Sequence, residues 1–142
     1  MEVSDVRKRL LQTIDRAKRA GAEHRARADA AARDYAVFIE RVATPVFRMF
    51  SSALRAEGHP FAVHTPAGGL RLASDRTAED VIELALDAVA DPPTVIARVS
   101  RARGHRVVSA ERPVREGVAV DRLTEDDVLE FLLAEIVPYV VR

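Results

Sequence analysis

The stretch richest in side chains that could do chemistry runs from 98 to 106, Arg98-Val99-Ser100-Arg101-Ala102-Arg103-Gly104-His105-Arg106. Four arginines and a histidine around one glycine turn, with Arg112 on the strand that follows, would gather positive charge at the tip of a β-ribbon. Such a tip grips phosphates, and each phosphate it neutralises adds salt-dependent affinity for a polyanion. Arg98, Arg101, Arg103, His105 and Arg106 are therefore the candidate anion contacts. No aromatic residue interleaves the run, so single-stranded bases would find no stacking platform there. A solvated turn is the plainer reading of the same residues.

The other constellations are weaker. The absence of cysteine removes thiolate metal sites, disulfides and thiol catalysis. The histidines His24, His59, His64 and His105 are dispersed, and only His59 and His64 with Glu57 approach a metal-ligand grouping. There is no H-E-x-x-H, no G-x-S-x-G, no G-x-G-x-x-G and no phosphate-binding G-x-x-x-x-G-K-[ST]. Gly68-Gly69 lies between two short alternating segments and reads as a hairpin turn. Glu125-Asp126-Asp127 resembles a carboxylate site for a divalent cation, but its place at a helix start is explained by capping and by the helix dipole. No catalytic residue, metal ligand or cofactor site is assigned, and the expectation is a non-enzymatic protein.

The elements that position these residues belong to an α+β fold. It comprises a long N-terminal helix with a heptad seam, a short second helix, a four- to five-stranded antiparallel meander, and a C-terminal helix packed on the sheet. From Val3 to Ala43 one Gly and no Pro interrupt a run dominated by Ala, Arg and Leu, all strong helix formers. Leu10, Ile14, Ala17, Gly21, His24, Ala28, Ala31, Tyr35, Phe38 and Val42 recur in alternating steps of 4 and 3, the spacing of a coiled-coil seam. Ser4 or Asp5 is placed to cap its start. Thr44 as N-cap and Pro45 as the first helical residue predict a break, then a second helix through Val46, Phe47, Met49, Phe50 and Leu54 that stops at Gly58. The chain accordingly divides into a helical segment, 1–43, and an α+β unit, 44–142.

Past Gly58 the period drops to two. Phe61, Val63 and Thr65, then Leu70 and Leu72, predict a hairpin around Pro66-Ala67-Gly68-Gly69. Residues 95–101 and 106–111 are β-branched and flank Gly104. Residues 77–90 carry two signals, a Thr77-Ala78-Glu79-Asp80 start resembling a capping box and an alternation of Ile82, Leu84 and Leu86 with Glu83, Ala85 and Asp87. Strand is preferred because a hairpin through Asp91-Pro92-Pro93 gives it a neighbour at once. That hairpin would set Glu83 opposite Arg98, with Arg71 approaching from the other side. One sheet face, with Phe61, Val63, Leu70, Leu72, Ile82, Leu84, Leu86, Val95, Ala97 and Val99, is expected to lie under the helices. In the last segment Thr124 is the N-cap, Asp127 completes a box, Val128, Leu129, Leu132, Leu133, Ile136 and Val137 form the apolar face, and Pro138 ends or kinks the helix.

The 142 residues are 48% apolar and 31% charged, a composition of soluble folded proteins. The longest apolar run, Ile136 to Val141, is too short to span a bilayer, and the opening MEVSDVRKRLLQ lacks the apolar stretch of a secretory signal, so a cytoplasmic protein with no membrane partner is expected. The charges cancel overall but not locally. Residues 1–57 hold 12 Lys/Arg against 8 Asp/Glu (+4), 58–112 hold 7 against 7, and 113–142 hold 3 against 7 (−4). Of the 22 basic residues, 20 are Arg, and 24 Ala accompany no Asn, a bias that G+C-rich codons produce without any demand for phosphate binding.

Length decides the functional expectation. A helix over 3–43 spans ~60 Å, whereas a compact globule of this size is roughly 37 Å across. The helix must project, fold back at Gly21, or lie against a partner. A homodimer through the seam is the expectation, antiparallel, with the small residues around Gly21, His24 and Ala28 at the crossing, and a second, foreign protein is the other partner the helix would accept. The alternative is a nucleic-acid or other polyanion binder using Arg7, Lys8, Arg9, Arg16, Lys18, Arg19, Arg25 and Arg27 together with the Arg98–Arg106 hairpin.

Overall fold

A computed structural model describes residues 1–141; Arg142, the last residue of the expected α+β unit, lies outside them. Residues 3–56 form one long, bent rod. Helix α1 covers Val3–Phe38, a wide π turn covers Ile39–Ala43, and α2 covers Thr44–Ala56. The start lies at Glu2, slightly before the expected caps, and the Glu2 N–H donates to the Asp5 carboxylate at 3.4 Å.

The break expected at Thr44-Pro45 is not made. Thr44 has helical angles (φ −61°, ψ −46°) and is not an N-cap; its N–H donates to the Ile39 carbonyl, five residues back. In a regular helix the Pro45 ring would strike the carbonyl four residues earlier and leave it without a donor. The widened turn moves that carbonyl aside, so the rod bends and continues. It ends at Gly58, whose φ of +85° is the left-handed conformation glycine tolerates best. There the Gly58 N–H donates to the Arg55 carbonyl at 3.0 Å and the His59 N–H to the Leu54 carbonyl at 2.8 Å, closing a Schellman cap.

The α+β reading holds. Strands β1 (Phe61–His64), β2 (Leu70–Ser74), β3 (Val81–Asp87), β4 (Thr94–Arg103) and β5 (Arg106–Pro113) form one antiparallel sheet in sequence order. Residues 81–87 are strand, and the helix-like start before them serves a tight turn instead. The Ser74 hydroxyl accepts the Arg76 and Thr77 N–H groups at 3.1 and 3.2 Å, and the Asp80 N–H donates to the Thr77 carbonyl at 3.0 Å. The β3–β4 register sets Glu83 opposite Arg98 and Asp87 opposite Thr94, and Arg71 faces Glu83 from β2.

Alternation puts Phe61, Leu70, Leu72, Ile82, Leu84, Val95, Ala97 and Val99 under the helices, all buried, with Val63 and Leu86 at the margin. The rod contributes Phe38, Val46, Phe47, Phe50 and Leu54 to this core. The C-terminal segment closes it as α3 (Glu125–Glu135) and α4 (Val137–Val140). The Thr124 N–H donates to the Asp127 carboxylate at 2.9 Å and the Asp127 N–H to the Thr124 hydroxyl at 3.2 Å, the expected box. The apolar face of α3 is narrower than expected, because Leu129, Leu133 and Val137 remain 37%, 47% and 52% exposed. The kink at Pro138 instead turns Tyr139 inward, where its ring meets Phe61 edge-on at 5.9 Å and its hydroxyl donates to the Ser100 carbonyl at 2.7 Å.

Candidate functional site

The rod has two kinds of environment along a single face. Residues 1–20 are all exposed, Gly21 and Ala28 are partly covered, and Ala31 is the first buried residue. Leu10 is 55% and Ile14 40% exposed, and Ala17 and His24 are exposed as well. Tyr35, Phe38 and Val42, expected to form the exposed far end of the seam, instead pack into the chain's own core. They do so because the rod continues through Pro45, which lays α1 on the Val120–Arg122 turn and the π turn on α3. The helix does not fold back at Gly21; residues 3–27 extend about 37 Å as a free helix. Propensity and local pairs such as Arg19 with Asp15, one turn apart, support it.

Val3 and Val6, 84% and 49% exposed, extend the apolar surface beyond Leu10, the first seam residue that the sequence pattern identifies. Val3 falls on the continued spacing, with Arg7 at the intervening position, and Val6 and Leu11, the latter 56% exposed, border it. The signal was present: valines one helical turn apart before an established heptad.

The arginine cluster is divided by the pleat of its hairpin. Arg101 and Arg103 point to the helix side of β4, with Arg103 directly opposite Arg106, while Arg98 points to the other side. His105 sits in the two-residue turn with Gly104, whose φ is +61°. Among the described residues Arg101, Arg103 and Arg106 enter no ion pair, whereas Arg98 is bonded to Glu111 at 3.2 Å. Thus the tip keeps three of its candidate anion contacts together and turns Arg98 away.

The uncovered face of the sheet carries a row of alternating charge, with Arg71, Glu83, Arg98 and Glu111 in register on four adjacent strands. Arg71 bonds Glu83 and Arg98 bonds Glu111, each at 3.2 Å. The expected Arg71–Glu83–Arg98 row is therefore present as a register, but Arg98 makes its ion pair with β5. These pairs are solvated and contribute well under ~1 kcal/mol each.

His59, His64 and Glu57 do not assemble into a metal site, since among the described residues no group of three or more His, Asp or Glu could hold an ion. Glu125, Asp126 and Asp127 form the first turn of α3, and the Asp127 carboxyl is held below its ordinary range, first by the Thr124 N–H and then by Arg115, which bonds it at 2.7 Å. Among the described residues no helix is long and apolar enough to cross a membrane.

One polar assembly escaped the sequence reading. Asp80, only 3% exposed, accepts the Ala102 N–H at 2.9 Å, beside the bond from Tyr139 to Ser100. Together they tie the β2–β3 turn, β4 and α4 to one another. A concavity of about 320 Å³ nearby is lined by His59, Ser74, Arg76, Thr77, Asp80 and Tyr139, but the Ser74 hydroxyl, one Asp80 carboxylate oxygen and the Tyr139 hydroxyl engage backbone groups. It is a brace by construction. Burial raises the Tyr139 phenol to about 12, with Glu135 adding to the rise and Arg101 and Arg112 opposing it.

The chain matches no protein-family model, no curated protein and no solved structure.

Proposed function

We propose that this chain is a non-enzymatic, self-associating interaction protein whose projecting helix makes the contact. The observation that carries this reading is an exposed apolar stripe, Val3, Val6, Leu10 and Ile14, lying on the same helical face that packs into the domain through Ala31, Tyr35 and Phe38. Apolar surface aligned in this way, beyond the edge of its own domain, is of the kind that a second helix covers. The test is the mass in solution by light scattering for the wild type and for Leu10→Asp/Ile14→Asp. A dimer that the double variant converts to monomer is expected. A wild type that stays monomeric at high concentration overturns the reading.

A second reading, polyanion binding, is favoured by the like charges at the hairpin tip, where Arg103 faces Arg106 with Arg101 beside them. It requires affinity for a nucleic acid that falls steeply with salt and that an Arg101→Ala/Arg103→Ala/Arg106→Ala variant loses. Binding that survives this variant, or no binding at low salt, removes it.

A further inference from the structure

We propose that the free half of the rod pairs antiparallel with the same segment of a second copy, setting Leu10 over Gly21, Ile14 over Ala17 and Val3 over Ala28 of that copy. This rests on the self-association reading and names its partner and geometry.

The first support is where a second helix has room. From Ala31 onward the seam faces the chain's own domain, and Phe38 is only 3% exposed. A crossing centred on Gly21, His24 and Ala28 would set the second copy's Leu10 opposite Phe38, where the space is filled. Moving the centre to lie between Ile14 and Ala17 pairs free helix with free helix. It also leaves the two globular domains at opposite ends of the pair, where they do not collide.

The second support is the composition of the layers. Val3, Leu10, Ala17 and His24 occupy one position of the heptad, and Arg7, Ile14, Gly21 and Ala28 occupy the other. Antiparallel helices face one position with the other, so the layers become Val3 with Ala28, Arg7 with His24, Leu10 with Gly21 and Ile14 with Ala17. Each of the three apolar layers combines a large side chain with a small one, which evens the volume along the interface. A parallel pair would stack Leu10 on Leu10 and Arg7 on Arg7, and would leave Gly21 facing Gly21 with nothing to fill the gap. At the rim, Val6 and Leu11, 49% and 56% exposed, fall beside the aliphatic stems of Arg27 and Lys18 of the second copy. With those stems the two stripes withdraw on the order of 1,000 Å² from water, the lower bound for a specific interface.

The absence of cysteine makes engineered thiols clean reporters of this arrangement. Under mild oxidation Leu10→Cys alone is expected to stay unlinked, while an equimolar mixture of Leu10→Cys and Gly21→Cys chains gives a cross-linked dimer, since a disulfide needs Cα atoms within about 7 Å. Gly21→Leu is expected to weaken association at least 10-fold. The fold itself tolerates it, since a Cβ at Gly21 meets only the Arg25 guanidinium, at 3.4 Å. Adding Leu10→Ala to Gly21→Leu, which exchanges large and small across the layer, should restore most of the loss. Self-linking of Leu10→Cys in a dimeric protein, or a Gly21→Leu dimer as tight as wild type, overturns the antiparallel arrangement and leaves self-association standing. A monomeric wild type overturns both.

Discussion

The two halves of the rod carry one heptad as far as Val42, where the π turn shifts its register, and they differ in what they meet. In residues 31–54 the face presents Tyr35, Phe38, Val46, Phe47, Phe50 and Leu54, and the sheet and α3 cover it. In residues 3–28 the seam presents Val3, Leu10 and Ile14 diluted by Ala17, Gly21 and Ala28, and the first 20 residues of the chain are all exposed. Large rings supply enough area to fix a helix on a sheet within one chain. A sparse aliphatic stripe does not, and it needs a second surface of similar length before burial repays the ordering. Periodicity therefore identifies a face, while the size of the residues on that face decides whether the neighbour comes from the same chain.

The substitution expected to separate the halves most sharply is Phe47→Ala. Phe47 is fully buried, and its truncation should cost about 3–5 kcal/mol of folding stability, the usual range for a core Phe. Urea denaturation measures it. A loss no larger than that of an exposed rod residue would mean that the second half is not held by the core.

A smaller effect is expected at the cap of α3, the helix on which the π turn rests. Thr124→Ala removes the hydroxyl that accepts the Asp127 N–H and should cost about 1 kcal/mol. Asp127 also titrates with folding. Its carboxyl is depressed mainly by the Thr124 N–H and next by Arg115, so the stability it adds is complete above the unfolded carboxylate range and is lost as pH falls through the folded value. Asp127→Asn should flatten this part of the acid melting profile, whereas Thr124→Ala, which keeps the backbone donor, should leave much of it in place.

Much of the fold was legible because its signals are local. Alternation marked β1, β2 and β3, β-branched residues marked β4 and β5, the Asp91-Pro92-Pro93 loop set the β3–β4 register, and Thr124 with Asp127 marked the start of α3. The missed features depend on neighbours distant in sequence. Pro45 reads as a helix start unless the π turn before it is known, and that turn is stabilised by packing on α3. Leu129, Leu133 and Val137 have the hydrophobicity of a buried face, yet the core has room only for Val128, Phe131, Leu132 and Ile136. Asp80 looks like a turn residue until β4 brings the Ala102 N–H to it. For the candidate site, the seam was visible, but the point at which the domain covers it was not.

The two tyrosines sharpen the comparison at the scale of single hydroxyls. The Tyr35 hydroxyl, just inside the covered half, is buried and has no hydrogen-bond partner among the described residues, whereas that of Tyr139 donates to Ser100. Tyr35→Phe should be neutral or stabilising by up to about 1 kcal/mol, and Tyr139→Phe should destabilise by about 1 kcal/mol. Burial pushes both phenols to about 12. Because the folded values lie above the unfolded value near 10, the stability linked to them is complete below about pH 10 and declines as pH rises toward 12. Tyr35→Phe should reduce this alkaline loss. An unchanged alkaline profile would show that Tyr35 is solvated and that the covered half begins later along the rod.

The smallest expected effect lies in the free half. Ile14 is 40% exposed and belongs to a stretch that its own domain does not cover. In dilute monomer Ile14→Ala should therefore remove no core contact, and the better helix propensity of Ala should offset any loss by a few tenths of a kcal/mol. Denaturation at a concentration well below association should show a change within about 0.5 kcal/mol. The same substitution at high concentration should lower the transition, because stability then includes the association of two chains. A concentration-independent cost of more than about 1 kcal/mol would place Ile14 in the core of a single chain, and the division of the rod at Ala28 would fail. Equal curves at both concentrations, with no cost at either, would leave the division intact while removing Ile14 from any interface.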